Sequence, residues 1–186
     1  AVNHFFKRVL LREFSVPGQN IIYADTLGNI GWRAAALIPI RKDGGSLVPR
    51  PGWDSDYDWK GFIPFDEMPY IYNPKKGYIA TANNKIVDDT FPYYISNQWA
   101  EPSRIERIEE WIESKEKLSP NDMKLLQNDR LSSFAREVTP NILKHLPNNL
   151  SGNQKTAYEY LINWDFIESP NSSAALVFHV ILDELL

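Results

Sequence analysis

Three stretches of this sequence carry residue types that could do chemistry beyond packing. The first is Gly77 to Asn84 (GYIATANN), an apolar, strand-like run that ends in two amides. A side-chain amide at a strand end can donate hydrogen bonds to an oxyanion developing on an acyl carbon. The same two residues also suit a plain turn, because Asn tolerates left-handed backbone and caps helices. The second stretch is Trp99 to Ile108 (WAEPSRIERI). Arg104 and Arg107 are three apart and share a helix face, where one could orient a carboxylate or an amide; the plainer reading pairs both with Glu101, Glu106, Glu110 or water. The third is the loop Trp53-Asp54-Ser55-Asp56-Tyr57-Asp58-Trp59. Alternating Asp suggests a calcium loop, but the Gly and the terminal Glu of an EF-hand are missing, so a solvated, turn-rich loop is expected.

Other chemistries are absent from the sequence. It contains no GxSxG elbow, P-loop, GxGxxG or SxxK pattern, and no recognisable nucleophile-base pair. With no cysteine, disulfides, thiolate nucleophiles and Cys-ligated zinc are excluded. The three histidines, His4, His145 and His179, are isolated and form no metal-binding pattern. Twenty Lys plus Arg against 24 Asp plus Glu give a net charge of -4, a field that does not invite nucleic acid. The longest apolar run, Ala174 to Leu182 interrupted by His179, is far shorter than the roughly 20 residues that span a bilayer. At 186 residues and 43% hydrophobic, the chain can bury one core or two small ones.

The elements that must position these residues read as follows. Asn3 to Phe14 places Phe6, Val9, Leu10 and Phe14 at helical spacing, and Ser15-Val16-Pro17-Gly18 ends it. Asn20 to Ala24 and Asn29 to Ile38 read as a β-hairpin closed by Asp25-Thr26-Leu27-Gly28, with apolar runs that predict cover on both faces. Arg41 to Gly77 is dense in Pro, Gly, Asp and aromatics; it predicts an ordered, irregular wrap with a few short strands. Tyr78 to Ala82 predicts a further short strand. After about Pro102 helical signals dominate: Arg104 to Lys117, with Ile105, Ile108, Trp111 and Ile112 on one stripe; Asp122 to Asn128, behind a capping motif at Ser119-Pro120-Asn121-Asp122. Ser132 to Leu146 follows, kinked or restarted at Pro140, then Ser151 to Trp164 behind an N-cap Ser, and Ser173 to Leu186. The predicted class is α+β, with residues 1–101 sheet-associated and 102–186 a helical subdomain. Lacking an initiator Met and stopping inside a helical pattern, the chain is expected to be a piece of a longer polypeptide.

Several blocks in order carry a resemblance: Gln19-Asn20-Ile21-Ile22-Tyr23-Ala24-Asp25, Gly28-Asn29-Ile30-Gly31-Trp32, Trp59-Lys60-Gly61-Phe62-Ile63-Pro64-Phe65-Asp66-Glu67-Met68-Pro69, Asn73-Pro74, and Gly77 to Asn84. Their order and spacing resemble the penicillin acylase (penicillin amidase) family. The likeness continues more weakly through Arg104 to Ile108, Gln127-Asn128-Asp129 and Leu161 to Asp165. It implies an N-terminal-nucleophile amidohydrolase with an αββα sandwich, made as a precursor that cuts itself into a small and a large chain. In that family a Ser freed at the start of the large chain attacks the amide carbonyl, its own α-amine serving as base. Position 1 here is Ala and Ser15, Ser46 and Ser55 are internal, so the nucleophile is expected upstream, with this segment in the middle of the large chain.

The resemblance also implies roles for single residues. Asn83, the first of the Asn pair, would supply the side-chain donor of the oxyanion hole, and Arg104 would help organise the site around nucleophile and Asn. Gly28, Gly31, Trp59, Pro64 and Phe65 would be structural. Where family members commonly carry a Trp before the Asn pair, this sequence has Ala82; where some carry a calcium-binding Asp, it has Tyr94, with Asp88 and Asp89 nearby. No cofactor is expected from this segment. The expected partners are the small chain and the rest of the large chain of the same precursor, and a small-molecule amide with an apolar acyl group; no nucleic acid and no membrane span are expected. The isolated segment is expected to be inactive and to self-associate through unpaired sheet edges, and the family habit implies a periplasmic or secreted location. The alternative is a non-catalytic binding module, or a segment of a pseudoenzyme, that uses its aromatic surface to dock.

Overall fold

A computed structural model describes residues 11–42 and 48–185 of the chain. The fold is α+β, and it divides into two compact units, Ala1–Ala100 and Glu101–Leu186.

The first unit is built on a three-stranded antiparallel sheet in the order β1 (Gln19–Ala24), β2 (Ile30–Ala35), β3 (Tyr70–Tyr72). The hairpin forms at the expected turn, but its second strand ends at Ala35 rather than running to Ile38. Asp25 closes its turn, its carboxylate accepting from the Leu27 and Asn29 N–H groups at 2.9 Å, while Gly28 takes the left-handed φ of 83° that an L side chain resists. The register pairs Ile22 with Trp32 and Trp32 with Ile71, so these three side chains share a face. Under it lies a core of Trp32, Ala34, Ile63 and Met68, with Ile38, Ile40, Ile79, Ile86, Tyr93 and Ile95 packed around. The expectation that the hairpin is covered on both faces fails for β1. Central β2 is buried almost throughout, whereas β1 is mostly exposed, with Ile22 at 54%, because β1 is the outer strand and only β2 has a neighbour on each side.

Two more expectations need correction. Tyr78 to Ala82 is irregular, bends at Ala82 and joins no ladder, so it is not a strand; the third strand is Tyr70–Tyr72, inside the wrap. Of the helix expected over 3–14, residues 3–10 lie outside the described residues, and 11–14 form a turn closed by Phe14 N–H to the Leu11 carbonyl. The wrap is ordered by short devices: 3-10 turns at Ser55–Tyr57 and Phe65–Glu67, and a bridge between Pro39 and Phe62. Arg33, on β2 and only 4% exposed, lies 3.8 Å over the Phe65 ring and donates to the Phe65 carbonyl. Burial holds its pKa below the usual guanidinium range, against the opposing pull of Asp66.

The second unit contains α1 (Ser103–Glu113), α2 (Pro120–Gln127), α3 (Ser133–His145), α4 (Asn153–Ile162) and α5 (Ser173–Leu185) among the described residues. The capping box at α2 is complete: Ser119 accepts from the Asp122 N–H and Asp122 accepts from the Ser119 N–H, with Pro120 at the first helical position. Helix α3 runs through Pro140 without restarting, capped by the Ser132 side chain on the Ala135 N–H at 3.2 Å. The cap of α4 is Gly152 at φ 53° rather than Ser151, with no side-chain bond. The core gathers Ala135, Leu161, Trp164, Ala174, Ala175 and Phe178, and the fully buried Phe178 ring meets Trp164 at a tilt, 5.4 Å between centroids, and Phe134 edge-on at 6.1 Å. No helix among the described residues is long and apolar enough to cross a membrane.

Candidate functional site

The Asn83-Asn84 pair ends the irregular run that starts at Gly77. Gly77, at φ 77°, turns the chain with its N–H on the Pro74 carbonyl at 2.9 Å, and Ile79 and Ile86 pin the two ends of the run onto the Trp32 core. Between them the amides divide the work. Asn84 builds the turn: its Oδ1 accepts from the Ala82 N–H at 3.0 Å and its Nδ2 donates to the Lys85 carbonyl at 3.1 Å. Asn83 is exposed and sits in left-handed backbone at φ 59°. Its carbonyl accepts from the Ala100 N–H at 2.8 Å, which fixes that conformation. Asn is among the few non-Gly residues that occupy this region readily, so the turn reading of the pair is right for the backbone; the exposed position is also what a donor to a bound ligand requires. Ala82 is buried, 8% exposed, directly before the pair.

A second Asn, read from sequence only as part of a motif, is a lock. Asn73, at φ 45°, accepts from the Ile30 N–H through Oδ1 and donates to Asn29 Oδ1, both at 2.9 Å. Asn29 in turn donates to the Asp25 carboxylate, whose pKa these bonds pull below the usual carboxylate range, the Asn29 side-chain bond foremost. The chain Asp25, Asn29, Asn73 thus ties the hairpin turn to the end of β3. Pro74 biases the residue before it towards extended backbone, so the Asn-Pro pair did not announce this left-handed position; only the tolerance of Asn for such angles pointed to it.

Arg104 and Arg107 lie on α1 in the other unit, and there they separate. Arg107 is structural: Nε donates to Asp129 at 2.5 Å, Nη1 pairs with Glu110 at 3.2 Å, and its guanidinium lies 5.5 Å from the Trp111 ring centroid. Glu110 also accepts both Nη groups of Arg136, at 3.2 and 3.0 Å, so α1, α3 and the Asp129 turn are joined by one ionic network. That network raises the Arg107 pKa, chiefly through Asp129, and lowers that of Glu110, chiefly through Arg136. Arg104 is exposed in the first turn of α1, whose cap is Pro102 without a side-chain bond; the Glu101 carboxylate accepts from the Ser103 N–H at 2.7 Å instead. A cation at a helix N-terminus opposes the macrodipole, so local helix physics does not select Arg104.

The acidic loop resolves as expected. Asp54 caps the 3-10 turn by accepting from the Asp56 N–H at 2.9 Å, and Asp56 pairs with Lys42. Asp88 accepts from Thr90, and Asp89 pairs with Lys85. No group of three or more His, Cys, Asp or Glu that could hold a metal ion occurs among the described residues.

Comparison with known proteins agrees with the motif order. A family model described as penicillin amidase matches residues 6–186. Acyl-homoserine lactone acylase QuiP of Pseudomonas fluorescens Pf-5 is 31% identical over 185 residues, covering 93% of this chain and 23% of that protein. The penicillin acylase 2 proenzyme of Pseudomonas sp. SE83 is 33% identical over 173 residues, covering 90% and 22%. A thermostable penicillin G acylase structure from Alcaligenes faecalis superposes with a TM-score of 0.63 at 27% identity, over 87% of this chain and 29% of that one. The chain therefore spans only 22–23% of the length of these two curated relatives. Matched over almost its whole length, it belongs to the penicillin amidase family.

Proposed function

We propose that this chain is the central segment of the large chain of an amidohydrolase that cleaves linear amides with an apolar acyl group. The observation that carries the reading is the family match over residues 6–186, supported by relatives named as acylases of penicillin and of acyl-homoserine lactones. The proenzyme among them supports a precursor that supplies the remaining small and large chain parts as partners. In the proposed reaction, the hydroxyl of a Ser at the start of the large chain, outside this segment, adds to the amide carbonyl while its α-amine takes the proton. Asn83 donates through Nδ2 to the oxyanion of the tetrahedral intermediate, and collapse passes the proton to the leaving amine and leaves an acyl ester. Water then hydrolyses the ester by the reverse roles. Arg104 is a positioning residue for the nucleophile and Asn83. The segment alone lacks the nucleophile and is inactive.

Exposure and backbone support the assignment to Asn83: it is exposed and held at φ 59°, directly after the buried Ala82. The test is hydrolysis of phenylacetyl and fatty-acyl chromogenic amides by the full-length, processed parent and its variants. Ala at φ 59° adds backbone strain of ~1–2 kcal/mol that Gly does not, so Asn83→Gly is the cleaner companion to Asn83→Ala. Both should lose about 10²- to 10³-fold in kcat. A parent that processes correctly and cleaves nothing would return the chain to the binding-module or pseudoenzyme reading. Full activity in Asn83→Gly would return Asn83 to a turn residue.

A further inference from the structure

One cation of the first unit is buried without an anion. The ladder register sets Arg33 between Ile21 and Tyr70, on the face of the sheet opposite Trp32. There its guanidinium lies 3.8 Å from the Phe65 ring centroid and 5.4 Å from that of Tyr70, and it makes one hydrogen bond, from Nη2 to the Phe65 carbonyl. Nε is buried and has no hydrogen-bond partner. Among the described residues, no carboxylate lies within ion-pairing distance of Arg33. The charged and titratable groups acting on it are Asp66, Arg12 and Tyr70. Asp66 is already paired with Arg12 at 3.2 Å, and the Arg12 guanidinium lies 5.0 Å from the centroid of the same Phe65 ring. Two guanidiniums thus share one carboxylate. Residues 1–10 contain no Asp or Glu, and Asp43 is the only acid outside the described residues.

Taking a cation out of water costs more than ring faces and one carbonyl return, which is why buried cations are found paired. A guanidinium also presents a planar fork of donors that matches the two oxygens of a carboxylate, and here most of that fork is unused. The Tyr70 ring beside it is itself 61% exposed, so on that side a single surface side chain stands between the guanidinium and solvent. We propose that Arg33 is the anchor for a carboxylate side chain contributed by the rest of the parent polypeptide, which completes an ion pair with this guanidinium. The occupant follows from charge and length. The unmatched positive charge selects an acid. This chain spans only 22–23% of the length of two curated relatives, so a parent of their size has ample sequence to supply one. An acid on the same polypeptide also meets the site at an effective concentration on the order of millimolar. The inference rests on the reading of the chain as part of a longer parent, and not on its acylase activity.

The experiment is thermal unfolding of the full-length parent as a function of pH, at constant ionic strength, with Arg33 and with Arg33→Met. Both proteins carry Asp43→Asn and Asp66→Asn, so that these two acids of the chain do not titrate. Met keeps an unbranched apolar stem beside the two rings and has no charge. A carboxylate paired with Arg33 has a depressed folded-state pKa, so the stability it contributes is present above the unfolded value of roughly 4 and is lost as pH falls below it. Opposite Met the same carboxylate is buried unpaired, its pKa is raised, and protonation relieves it. The Tm of Arg33→Met should therefore lie several degrees below that of its Arg33 counterpart at about pH 7, and at least about half of that gap should close by about pH 4.5. A gap of the same size at both pH values overturns the proposal and leaves Arg33 held by its rings, as does equal stability at neutral pH. A gap that grows with added acetate or phosphate also overturns it, and assigns the site to a free anion. Where Arg33→Met does not fold, a structure of the unaltered parent decides: a carboxylate oxygen from outside this segment within about 4 Å of the guanidinium supports the proposal, and its absence overturns it. Neither readout uses amide hydrolysis, so an inactive parent leaves the result standing.

Discussion

The two units of this chain are held together by different physics. In Glu101–Leu186 regular helices converge on an aromatic core, with Phe178 fully buried between Trp164 and Phe134. In Ala1–Ala100 most of the backbone is irregular, and small polar side chains set its course: Asp25, Asn29, Asn73 and Asn84 each bond a backbone or amide group at a bend. Left-handed residues follow the same division, with Gly28, Gly61, Asn73, Gly77 and Asn83 in the first unit and only Gly152 and Phe166 in the second, among the described residues. Apolar packing gives robustness with little directional control. Polar bonds at bends aim single residues, which suits the unit that carries Asn83.

The largest expected effect tests the apolar side. Phe178→Ala removes a fully buried ring and should cost about 3–5 kcal/mol, read as a fall in Tm, with kcat per folded molecule of the parent unchanged. A fall in kcat would break the division of labour. Next, Asn73→Ala removes the acceptor for Ile30 and the donor to Asn29 at a left-handed position, an expected loss of about 1–3 kcal/mol by denaturant titration. Asn73→Gly should recover only the backbone share; full recovery would mean that the lock is conformational and not polar. The smallest effect belongs to the α2 cap, where Ser119→Ala should cost about 1 kcal/mol.

That cap also makes a prediction about pH. The Lys115 ammonium and the Ser119 groups hold the Asp122 carboxyl below its ordinary range. A depressed folded-state pKa means stability that is present above the unfolded value of roughly 4 and is lost as pH falls below it. Acid titration followed by circular dichroism should show part of the helical signal lost below that point. In Asp122→Asn this dependence should flatten; an unchanged profile would remove the cap from the account.

How much could be read in advance follows from the same contrast. Helix signals are local, so Ser119-Pro120-Asp122 and the Ile105, Ile108, Trp111, Ile112 stripe announced α2 and α1 without knowledge of the rest. A strand exists only through its partner. Tyr78 to Ala82 has strand composition but no ladder, while Tyr70–Tyr72, amid prolines, has one because Asn73 and Pro69 clip it to β2. The hairpin was legible because turn and strands are contiguous. Residue types and spacing alone did not separate Asn83 from Asn84, or Arg104 from Arg107; only the resemblance chose Asn83 and Arg104. Those distinctions depend on neighbours remote in sequence or on the backbone angle: φ 59° at Asn83, and Asp129 and Arg136 around Arg107.

The single bond from the Ala100 N–H to the Asn83 carbonyl also defines a ring in the chain. Residues 84–99 form its arc, with Ile86, Tyr93 and Ile95 touching the core and Lys85, Asp88, Asp89 and Thr90 outside. Loop closure depends only logarithmically on contour, at about 0.6 kcal/mol per doubling. Insertions or deletions around 87–90 should thus leave the angle at Asn83 unaltered while reshaping the surface beside it. Such an arc is a place where chain length can vary with the backbone angle at Asn83 held constant.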